Sequence, residues 1–534
     1  MKFFIKVVKF AFQEVKSFFI FLFRINSIFH LKKLNNILEK KFISSPNKRG
    51  NIIIDGMWDN PFHWVRMIIL TNGLKHKHGI NYVGLIQDTT PKKTKLMFNI
   101  FNLRKIITLK SDLELKYIRQ ARKIIKKFKN VNELCNGRII EDYPGFLFYD
   151  GVLKKERLAE IKVTDKKIIY HLATTLKYYF FYKKLIEKEN ISAFYTSHLV
   201  HFRYSTLVWN LIKKKIPVYC SKDKNQHNYI MKITTKNQIL KPFDDVPTKN
   251  EIDKLIKEKR KKIIKIANKY ISDLFKGKKG ESQFFQVFKN SNEKISKIKF
   301  NKMIGADNKK KNIVIMANSW VDFPHEYGNT WYADLAEWIR FIYNYSKKNK
   351  RYNWIFKPHP AENWHGSKTN LKEILGKKLH NNAYYWPINI SATQMLNCSD
   401  YMITARGTSA VEYASKGHKV LVSTPSPYTN LNFLTYAKNR KDFLHKLNKI
   451  EKIKKISKKQ LQYNKIYITC KEADFKNKNF LNYPLNIFSE KNYIKLSKFI
   501  TNNFQNILEE ANQIKIWGNK KHNRFRTYQV LNYL

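Results

Sequence analysis

An alternation of short apolar runs with longer amphipathic stretches limits the folds open to this chain. From residue 51, NIIIDG and INYVGLIQD have the pattern of strands, separated by the helical WVRMIILTNGLKHKHG. ISAFYTSH and IPVYCS have the same pattern on either side of the helical YSTLVWNLIKKK. Strand, helix, strand units of this kind build parallel sheets with helices on both faces. The first half is therefore predicted to be a doubly wound α/β domain.

The alternation restarts after Lys311. NIVIMANSW and YNWIFKPHP are predicted strands around the helical DLAEWIRFIYNYSKKN, and DYMITARGTSAVEYASKGHKVLVSTPS predicts strand, turn, helix and strand. A lysine-rich helical stretch, EIDKLIKEKRKKIIKIANKYISDLF, separates the two halves. We expect two Rossmann-like doubly wound domains facing each other across a cleft, with ligands at the carboxyl ends of the strands.

Five parts follow from these patterns. They are an amphipathic basic segment (1–45), a first Rossmann-like domain (46–250), a helical connector (251–305), a second Rossmann-like domain (306–445) and a helical region that packs back on the body (446–534).

The net charge is extreme. The 534 residues include 102 Lys and Arg against 41 Asp and Glu, which leaves +61. This excess suggests a polyanionic partner, but the abundance of Lys, Ile, Asn, Phe and Tyr is also what an A/T-rich genome produces. Charge alone therefore leaves nucleic acid, an anionic membrane surface and phosphorylated substrates as alternatives. The chain has no nucleic-acid recognition motif.

Cysteine usage indicates a reduced, cytoplasmic compartment without structural zinc. The four cysteines lie far apart and show neither a CxxC pair nor Cys/His metal-ligand spacing. They are Cys135, Cys220, Cys398 and Cys470.

The first thirty residues predict an amphipathic helix. Lys2, Lys6, Lys9 and Lys16 share one helical stripe, and phenylalanines and aliphatic residues lie opposite. No apolar run approaches the ~20 residues needed to span a bilayer, and no cleavage site follows. The helix is predicted to lie on an anionic leaflet; the alternative is an ordinary amphipathic helix packed on the body.

Two motifs follow predicted strands in the second half. Lys357-Pro358-His359-Pro360 holds one imidazole between two rigid residues beside a cation, which suits a phosphate contact or a general acid. The turn 407–409, containing Gly407, Thr408 and Ser409, opens a helix and offers backbone N–H groups and hydroxyls to an anion. Glu412, one turn later, suits either a ribose contact or a helix-capping role.

The candidates for a general base are less specific. The first half supplies Asp55, Asp59, Glu141, Asp142, Asp150, His198 and His201, and the second half Asp322 and His325. The acidic residues Glu141, Asp142 and Asp150 bracket a predicted Pro-Gly turn. For each of these residues the alternative is a structural role, as a helix cap, in a turn or in a hydrogen bond of the core. No metal-binding motif is present in the sequence.

These motifs resemble a known family. VIMANSWVDFPHEYGNTWYADLAEWIRF, NWIFKPHPAE and ITARGTSAVEYASKGHKVLVS are similar to the capsular and surface polysaccharide biosynthesis glycosyltransferases, which include the capsule Kdo transferases and are distantly similar to bacterial sialyltransferases. Tyr149–Gly151 and YTSHLVHFRYSTLVWNLIKKKIPVY resemble that family's first domain. The resemblance covers about residues 50–430 and is more specific in the second half. It implies the GT-B fold, with an acceptor domain followed by a donor domain.

The resemblance also implies residue roles. His359 and Pro360 match the family's His-Pro motif at the donor phosphate, assisted by Lys357 and the turn 407–409 with its serine element, while Glu412 matches the acidic residue at the ribose. The first-domain base has no unambiguous counterpart: Asp150 is the first choice, then Glu141 or Asp142, whose pair continues as Tyr143-Pro144-Gly145 rather than with the family's glycine.

What the resemblance implies is a metal-independent bacterial glycosyltransferase without a cofactor. It would move a sugar from a nucleotide donor, with CMP-Kdo or a related CMP-activated acidic sugar favoured, to a growing capsule or lipopolysaccharide. Its place would be peripheral, on the inner face of the cytoplasmic membrane, with a polysaccharide-assembly complex as a further partner. The alternatives are a teichoic-type polyol-phosphate transferase, a sugar-nucleotide epimerase and, more remotely, a nucleic-acid-binding protein.

Overall fold

The protein is described from a computed structural model. The structure describes residues 2–42, 50–79, 81–224, 227–239, 247–276, 295–328, 330–360, 362, 366–424, 426–431, 433–472, 481, 492–520 and 523–525.

Strands are numbered here along the chain. They are β1 (Asn51–Asp55), β2 (Asn81–Gln87), β3 (Leu103–Leu109), β4 (Arg138–Ile140), β5 (Tyr143–Pro144), β6 (Ile191–Thr196), β7 (Val218–Lys224), β8 (His227–Ile233), β9 (Lys311–Met316), β10 (Tyr352–Lys357), β11 (Ala383–Tyr385), β12 (Tyr401–Thr404), β13 (Val420–Val422), β14 (Thr435–Tyr436) and β15 (Arg524–Phe525).

The first large sheet has the order β15-β8-β7-β6-β1-β2-β3. Strands β3, β2, β1, β6 and β7 are parallel, and β8 and β15 add an antiparallel edge. The order reverses between β1 and β6, which makes that gap the topological switch point where such sheets bind ligands.

The second large sheet has the order β11-β10-β9-β12-β13-β14, and all its pairings are parallel. Its switch point lies between β9 and β12. The two doubly wound sheets expected of a GT-B architecture are therefore confirmed by the topology. Strands β4 and β5 form a separate two-stranded ribbon.

Helices cover both faces of each large sheet. The α-helices are Lys2–Lys41, Pro61–Gly73, Lys75–His78, Lys92–Lys95, Leu115–Ile125, Val131–Asn136, Gly145–Glu156, Lys166–Lys188, Phe202–Lys213, Lys236–Ile239, Lys249–Phe275, Lys297–Ile304, Leu335–Lys348, Leu371–Leu375, Met395–Cys398, Ser409–Ala414, Arg440–Asn448, Lys458–Glu472, Asn492–Asn502 and Phe504–Gly518. Short 3-10 helices span Leu96–Ile100, Ala392–Gln394, Thr429–Leu431 and Ile450–Lys452.

Alternating strand residues enter different cores, which explains the continuous apolar runs of the sequence. In β1, Ile53 packs with the helices 145–156, 166–188 and 202–213, whereas Ile52 and Ile54 pack with residues of the opposite face. In β9, Val314 and Ile315 likewise belong to separate cores. Both sheets are thus buried on two sides.

The terminal helices are divided between the halves. The N-terminal helix, Lys2–Lys41, packs on helix Asn492–Asn502, and both join the first half's core. Helix Lys458–Glu472 packs instead on Lys249–Phe275, at the core of the second half. None of the helices that the structure describes is long and apolar enough to cross a membrane.

Helix Gly145–Glu156 lies where the two halves meet. Gly145 begins this helix after Pro144, so Asp150 lies within a helix and does not flank a Pro-Gly turn, contrary to the sequence interpretation. A Cβ on Gly151 would lie 3.0 Å from the side chain of Phe202, in the segment that follows β6. The same helix also contacts the segment after β9, as described below. The switch-point segments of both sheets therefore border one helix.

Candidate active site

A buried lysine ends β10. Lys357 is 7% exposed, and burial lowers its pKa to about 8. Its side chain lies on the sheet face of Ile355, and its Nζ is 5.9 Å from the ring centre of Trp386. Among the residues that the structure describes, the Lys357 ammonium has neither a hydrogen bond nor an ion pair. A buried cation without a counter-charge indicates a site for an anion.

His359 follows two residues later, half-buried, while Pro360 is exposed. This segment is held to the loop after β9, because Trp320 Nε1 donates a hydrogen bond to Glu362 Oε1. Backbone N–H of Ala317 also donates to the carbonyl of Lys357, at 3.0 Å. The His-Pro segment thus lies at the carboxyl edge of the sheet, after the strand next to β9, and the sequence predicted this strand-end position.

The turn 407–409 lies across the same switch point, after β12. The Gly407 N–H donates to Thr404 Oγ1 at 3.4 Å, and Thr404 Oγ1 donates to Asn318 Oδ1 at 3.3 Å. A Cβ on Gly407 would lie 3.1 Å from Ser409 Oγ and 3.3 Å from Asn318 Nδ2. This crowding explains glycine at that position.

Asn318 was missed by the sequence interpretation of the site. Its only signal is that it is the second residue after β9, one of the two strands that border the switch point. Thr408, Ser409 and Glu412, in and after the turn, are half-buried.

Arg406 connects the turn to the loop 317–334. Its Nη2 donates to the carbonyls of Asp322, at 2.6 Å, and Phe323. The guanidinium carbon also lies 5.0 Å from the ring centre of Tyr327. Asp322 itself has a half-exposed carboxylate 3.7 Å from Lys154 Nζ of the first half. This loop is therefore held by both halves.

The same loop carries a buried acid–imidazole pair. His325 Nδ1 lies 2.8 Å from Asp150 Oδ1, and the backbone N–H of His325 donates to Asp150 Oδ2 at 2.8 Å. The residues are 2% (Asp150) and 4% (His325) exposed. Because a carboxylate only accepts hydrogen bonds, Nδ1 carries the proton and Nε2 of a neutral ring is the basic nitrogen. Two predicted residues, 175 positions apart, are thus brought into direct contact.

Tyr149, next to Asp150, makes a second bond between the halves. Its hydroxyl donates to Asp334 Oδ2 at 2.8 Å. Burial raises the pKa of Asp334 to about 6, despite the hydrogen bonds from the Glu337 backbone and Tyr149. Asp334 also caps helix Leu335–Lys348, so this bond connects helix Gly145–Glu156 to the start of another.

At the first sheet's switch point, Asp55 ends β1 and is fully buried. It accepts hydrogen bonds from the Met57 N–H and from Thr196 Oγ1, both at 2.8 Å. Burial nevertheless raises its pKa to about 6. Asp55 therefore links the ends of the neighbouring strands β1 and β6, at a cost in desolvation of its carboxylate.

The histidines after β6 lie at this same edge. The His198 ring packs between Trp58, at a centroid distance of 4.7 Å, and Tyr204, at 5.2 Å. His201 has a φ of 74° and begins helix Phe202–Lys213, and burial holds its pKa well below the usual range. Its Nδ1 has no hydrogen-bond partner among the described residues.

Asp59 lies beside these residues but binds the terminal helices. Arg24 of the N-terminal helix pairs with its carboxylate at 2.7 Å, and the hydroxyls of Tyr493 and Thr94 donate to it at 2.6 and 2.8 Å. Burial alone would raise the pKa of Asp59, but Arg24 and the hydroxyls together lower it. Asp59 therefore joins three parts of the chain.

Glu141 and Asp142 are not brought to the carboxyl edge. Glu141 accepts hydrogen bonds from Lys183, at 2.8 Å, and Lys213, at 2.6 Å, and Asp142 pairs with Lys213 and Lys236. These lysines hold the pKa of Glu141 at about 2, and hydrogen bonds outweigh burial to hold that of Asp142 at about 2. Lys213 ends its helix just before β7, at the opposite edge of the sheet.

Within the part of the chain that the structure describes, no group of three or more His, Cys, Asp or Glu side chains is placed to hold a metal ion.

No family model and no curated protein matches the chain. Among solved structures, it is similar to KpsC, a beta Kdo 2,4 transferase of Thermosulfurimonas dismutans, at 10% identity and a TM-score of 0.32, over 52% of this chain and 80% of that one. A UDP-GlcNAc 2-epimerase of Neisseria meningitidis bound to UDP-GlcNAc is 11% identical, with a TM-score of 0.23, over 86% of this chain and 100% of that one.

A glycosyl transferase family 9 protein of Veillonella parvula is 11% identical, with a TM-score of 0.21, over 87% of this chain and 99% of that one. Such low TM-scores carry no argument about chemistry.

Proposed function

We propose that this chain is a GT-B glycosyltransferase that moves a sugar from a nucleotide-activated donor to a growing cell-surface polysaccharide. The observation that carries the proposal is the Lys357 ammonium, buried without a counter-charge at the same carboxyl edge as a His-Pro segment and the turn 407–409. The turn follows β12, which borders the switch point, whereas Lys357 ends β10, the strand next to β9, and His359 follows it. Nucleotides bind at this edge in this class of fold.

The proposed chemistry follows from where charge develops. As the bond between sugar and phosphate breaks, negative charge grows on the leaving phosphate. Lys357, His359 and donors of the turn 407–409 would stabilise that charge more in the transition state than in the ground state. Glu412, half-buried in the helix that begins at Ser409, would accept from the ribose hydroxyls.

The acceptor hydroxyl must lose a proton in the same reaction. We assign its removal to His325 Nε2, with Asp150 as the positioning residue that holds the imidazole through Nδ1–H. The first-domain carboxylate then acts through a histidine of the donor domain. Arg406, the residue before Gly407, donates to the carbonyl of Asp322, which ties the loop that carries His325 to the turn of the proposed phosphate site.

Nucleotide binding tests the donor site. Thermal unfolding is measured with CMP, CDP, UDP and GDP for the wild type, His359→Ala and His380→Gln, a control that alters an imidazole just before β11 at the opposite edge of the same sheet. At 100 times Kd a ligand adds ~2.7 kcal/mol to stability. We expect CMP to stabilise the wild type and the control but not His359→Ala. If no nucleotide shifts the wild type, the proposal is wrong.

Turnover separates the alternatives. An epimerase converts UDP-GlcNAc without an acceptor, a polyol-phosphate transferase consumes CDP-glycerol, and the proposed enzyme releases CMP from CMP-Kdo only with a glycan acceptor. Conversion of UDP-GlcNAc alone would replace the transferase proposal with the epimerase. A loss of CMP release in Asp150→Asn, with CMP binding retained, would support the positioning role.

We also propose a membrane-surface location through the N-terminal helix. Phe19, Leu22, Ile25 and Phe29 are 53%, 43%, 46% and 66% exposed and recur every three or four residues. Such a stripe suits insertion into the boundary between headgroups and acyl chains. Flotation with anionic vesicles should therefore fail for Phe19→Ser/Phe29→Ser and succeed for the wild type; equal flotation of both would contradict this location.

A further inference from the structure

A basic groove of about 920 Å³ lies on the second half, beside the edge strand β14. It is bounded by the start of that strand, the end of helix Arg440–Asn448 and the segment 449–460. Strands β13 and β14 are parallel, so the start of β14 lies at the amino edge of the sheet. The groove is therefore separate from the proposed donor site, which lies at the carboxyl edge.

The groove concentrates positive charge. Its lining contains Lys446, Lys449, Lys452, Lys454, Lys455 and one carboxylate, Asp442, a net charge of +4. Lys446 pairs with Asp442. The other four lysines form no ion pair with any residue that the structure describes, and the nearby Glu451 binds Lys311 at 3.4 Å instead.

Helix stabilisation accounts for only part of this cluster. Lys446 lies in the last turn of helix Arg440–Asn448 and Lys449 directly follows it, where cations complement the helix dipole. Lys452, Lys454 and Lys455 lie beyond the helix, where the dipole effect has faded. Their convergence on a concave surface instead suits a ligand with several negative charges.

The shape and apolar lining narrow the class of ligand. A volume of 920 Å³ is within the range of small-molecule sites, and a duplex or a bilayer surface is too broad to enter it. Single-stranded nucleic acid binds by stacking successive bases on exposed aromatic rings. Phe433 of the lining is 1% exposed, which leaves one exposed ring there, the imidazole of His445. Of the groove's four apolar residues, Phe433 and Ile453 are buried and Leu434 and Ile456 are half-buried, which leaves a lipid anchor only a small apolar surface among five lysines.

We infer that this groove binds an acidic oligosaccharide, with the four unpaired lysines at its carboxylates. Thr435 supplies a hydroxyl for sugar hydroxyls, and the Ser457 hydroxyl, which accepts from the Gln460 N–H at 3.2 Å, keeps its own proton to donate. The site would hold an anionic glycan away from the catalytic cleft. This inference does not depend on sugar transfer, and its test does not use it.

The test compares two quadruple variants of the full chain. The groove variant changes Lys449, Lys452, Lys454 and Lys455 to Gln. The matched control changes Lys123, Lys126, Lys127 and Lys129 to Gln, four exposed lysines within seven residues of the first half that also form no ion pair with a described residue. The probes are hexagalacturonate, neutral maltohexaose, a single-stranded dodecanucleotide and phosphatidylglycerol vesicles, and binding is measured by titration calorimetry and, for vesicles, sedimentation.

We expect hexagalacturonate to bind the wild type and the control equally and the groove variant at least about tenfold more weakly, since each exposed charge pair contributes a few tenths to one kcal/mol. Maltohexaose should not bind. Equal losses in both variants would assign binding to the diffuse field of the +61 chain and overturn the inference. So would tighter groove-dependent binding of DNA or vesicles, or no hexagalacturonate binding at all. Unchanged unfolding temperatures of both variants verify that folding is intact.

Discussion

Replacing Lys357 with Met should stabilise the fold and abolish nucleotide binding. The Lys357 pKa falls from 10.5 to about 8 because its ammonium is buried. One pKa unit corresponds to ~1.36 kcal/mol, so keeping this group charged in the folded state costs about 3 kcal/mol near neutral pH. Methionine has a similar length, needs no solvation and can keep the contact with Trp386. The free energy of unfolding of Lys357→Met should therefore rise by up to about 3 kcal/mol.

The gain should depend on pH in a defined direction. Below pH 8 both folded and unfolded states of the wild type are protonated at Lys357, and the full cost applies. Between pH 8 and 10.5 the unfolded state binds more protons, so wild-type stability rises relative to the variant. The difference in unfolding free energy between Lys357→Met and the wild type should thus be largest at pH 7 and fall toward zero as the pH approaches 10.5.

Urea unfolding at pH 7, 9 and 10 measures this difference, and the melting shift with CMP measures binding. Lys350→Met is the matched control, because it removes the same charge from an exposed site in the same half. The control should change neither quantity. Destabilisation by Lys357→Met, or a CMP shift that survives it, would refute the idea that burial of this cation is maintained for an anionic ligand.

Three further predictions concern single residues. Gly407→Ala should weaken the CMP shift, because its Cβ would lie 3.1 Å from Ser409 Oγ; an unchanged shift in melting experiments would contradict this. His325→Ala leaves the buried Asp150 carboxylate without its imidazole and should lower the free energy of unfolding by ~3–5 kcal/mol, with partial recovery on adding Asp150→Asn; a loss below ~1 kcal/mol in urea titrations would argue against the pair. Asp55 has a raised pKa of about 6, so its carboxylate destabilises the fold progressively from pH 3.8 to 6 and fully above. Asp55→Asn should remove that pH dependence and raise the free energy of unfolding, measured with urea, by up to ~3 kcal/mol at pH 7. A variant whose unfolding free energy follows the same pH profile as the wild type would contradict this prediction.

The strands were predictable from local pattern. NIIID, NYVGLIQ, NIVIM and YNWIFK are apolar because both faces of a parallel sheet are buried. β1 and β2 end one residue before their predicted ends, whereas β9 and β10 end four and three residues earlier, before the polar and proline residues of those segments. A strand end in such a sheet is also a place for ligands, so Lys357, His359 and the turn 407–409 could be singled out before any contact was known.

Other features depend on how distant segments pack. The contact between Asp150 and His325 joins residues 175 positions apart, and no local period encodes it. Glu141 and Asp142 are carboxylates of the kind that act as general bases, so the sequence left them as candidates. Helix packing places them among Lys183, Lys213 and Lys236 at the other edge of the sheet. Helices Lys2–Lys41 and Lys458–Glu472 likewise join different halves, and neither helix's own sequence indicates which.

The sequence predicts strands better than contacts because a strand's pattern is local, whereas a contact depends on segments distant along the chain. Periodicity records whether a residue faces solvent or a core, which is a property of neighbouring residues along the chain. The surroundings of one side chain depend on every segment that packs against it. The sequence predicts Lys357 as a strand-end cation beside His359, and only the assembled sheet, its helices and Trp386 make it a buried charge with a lowered pKa.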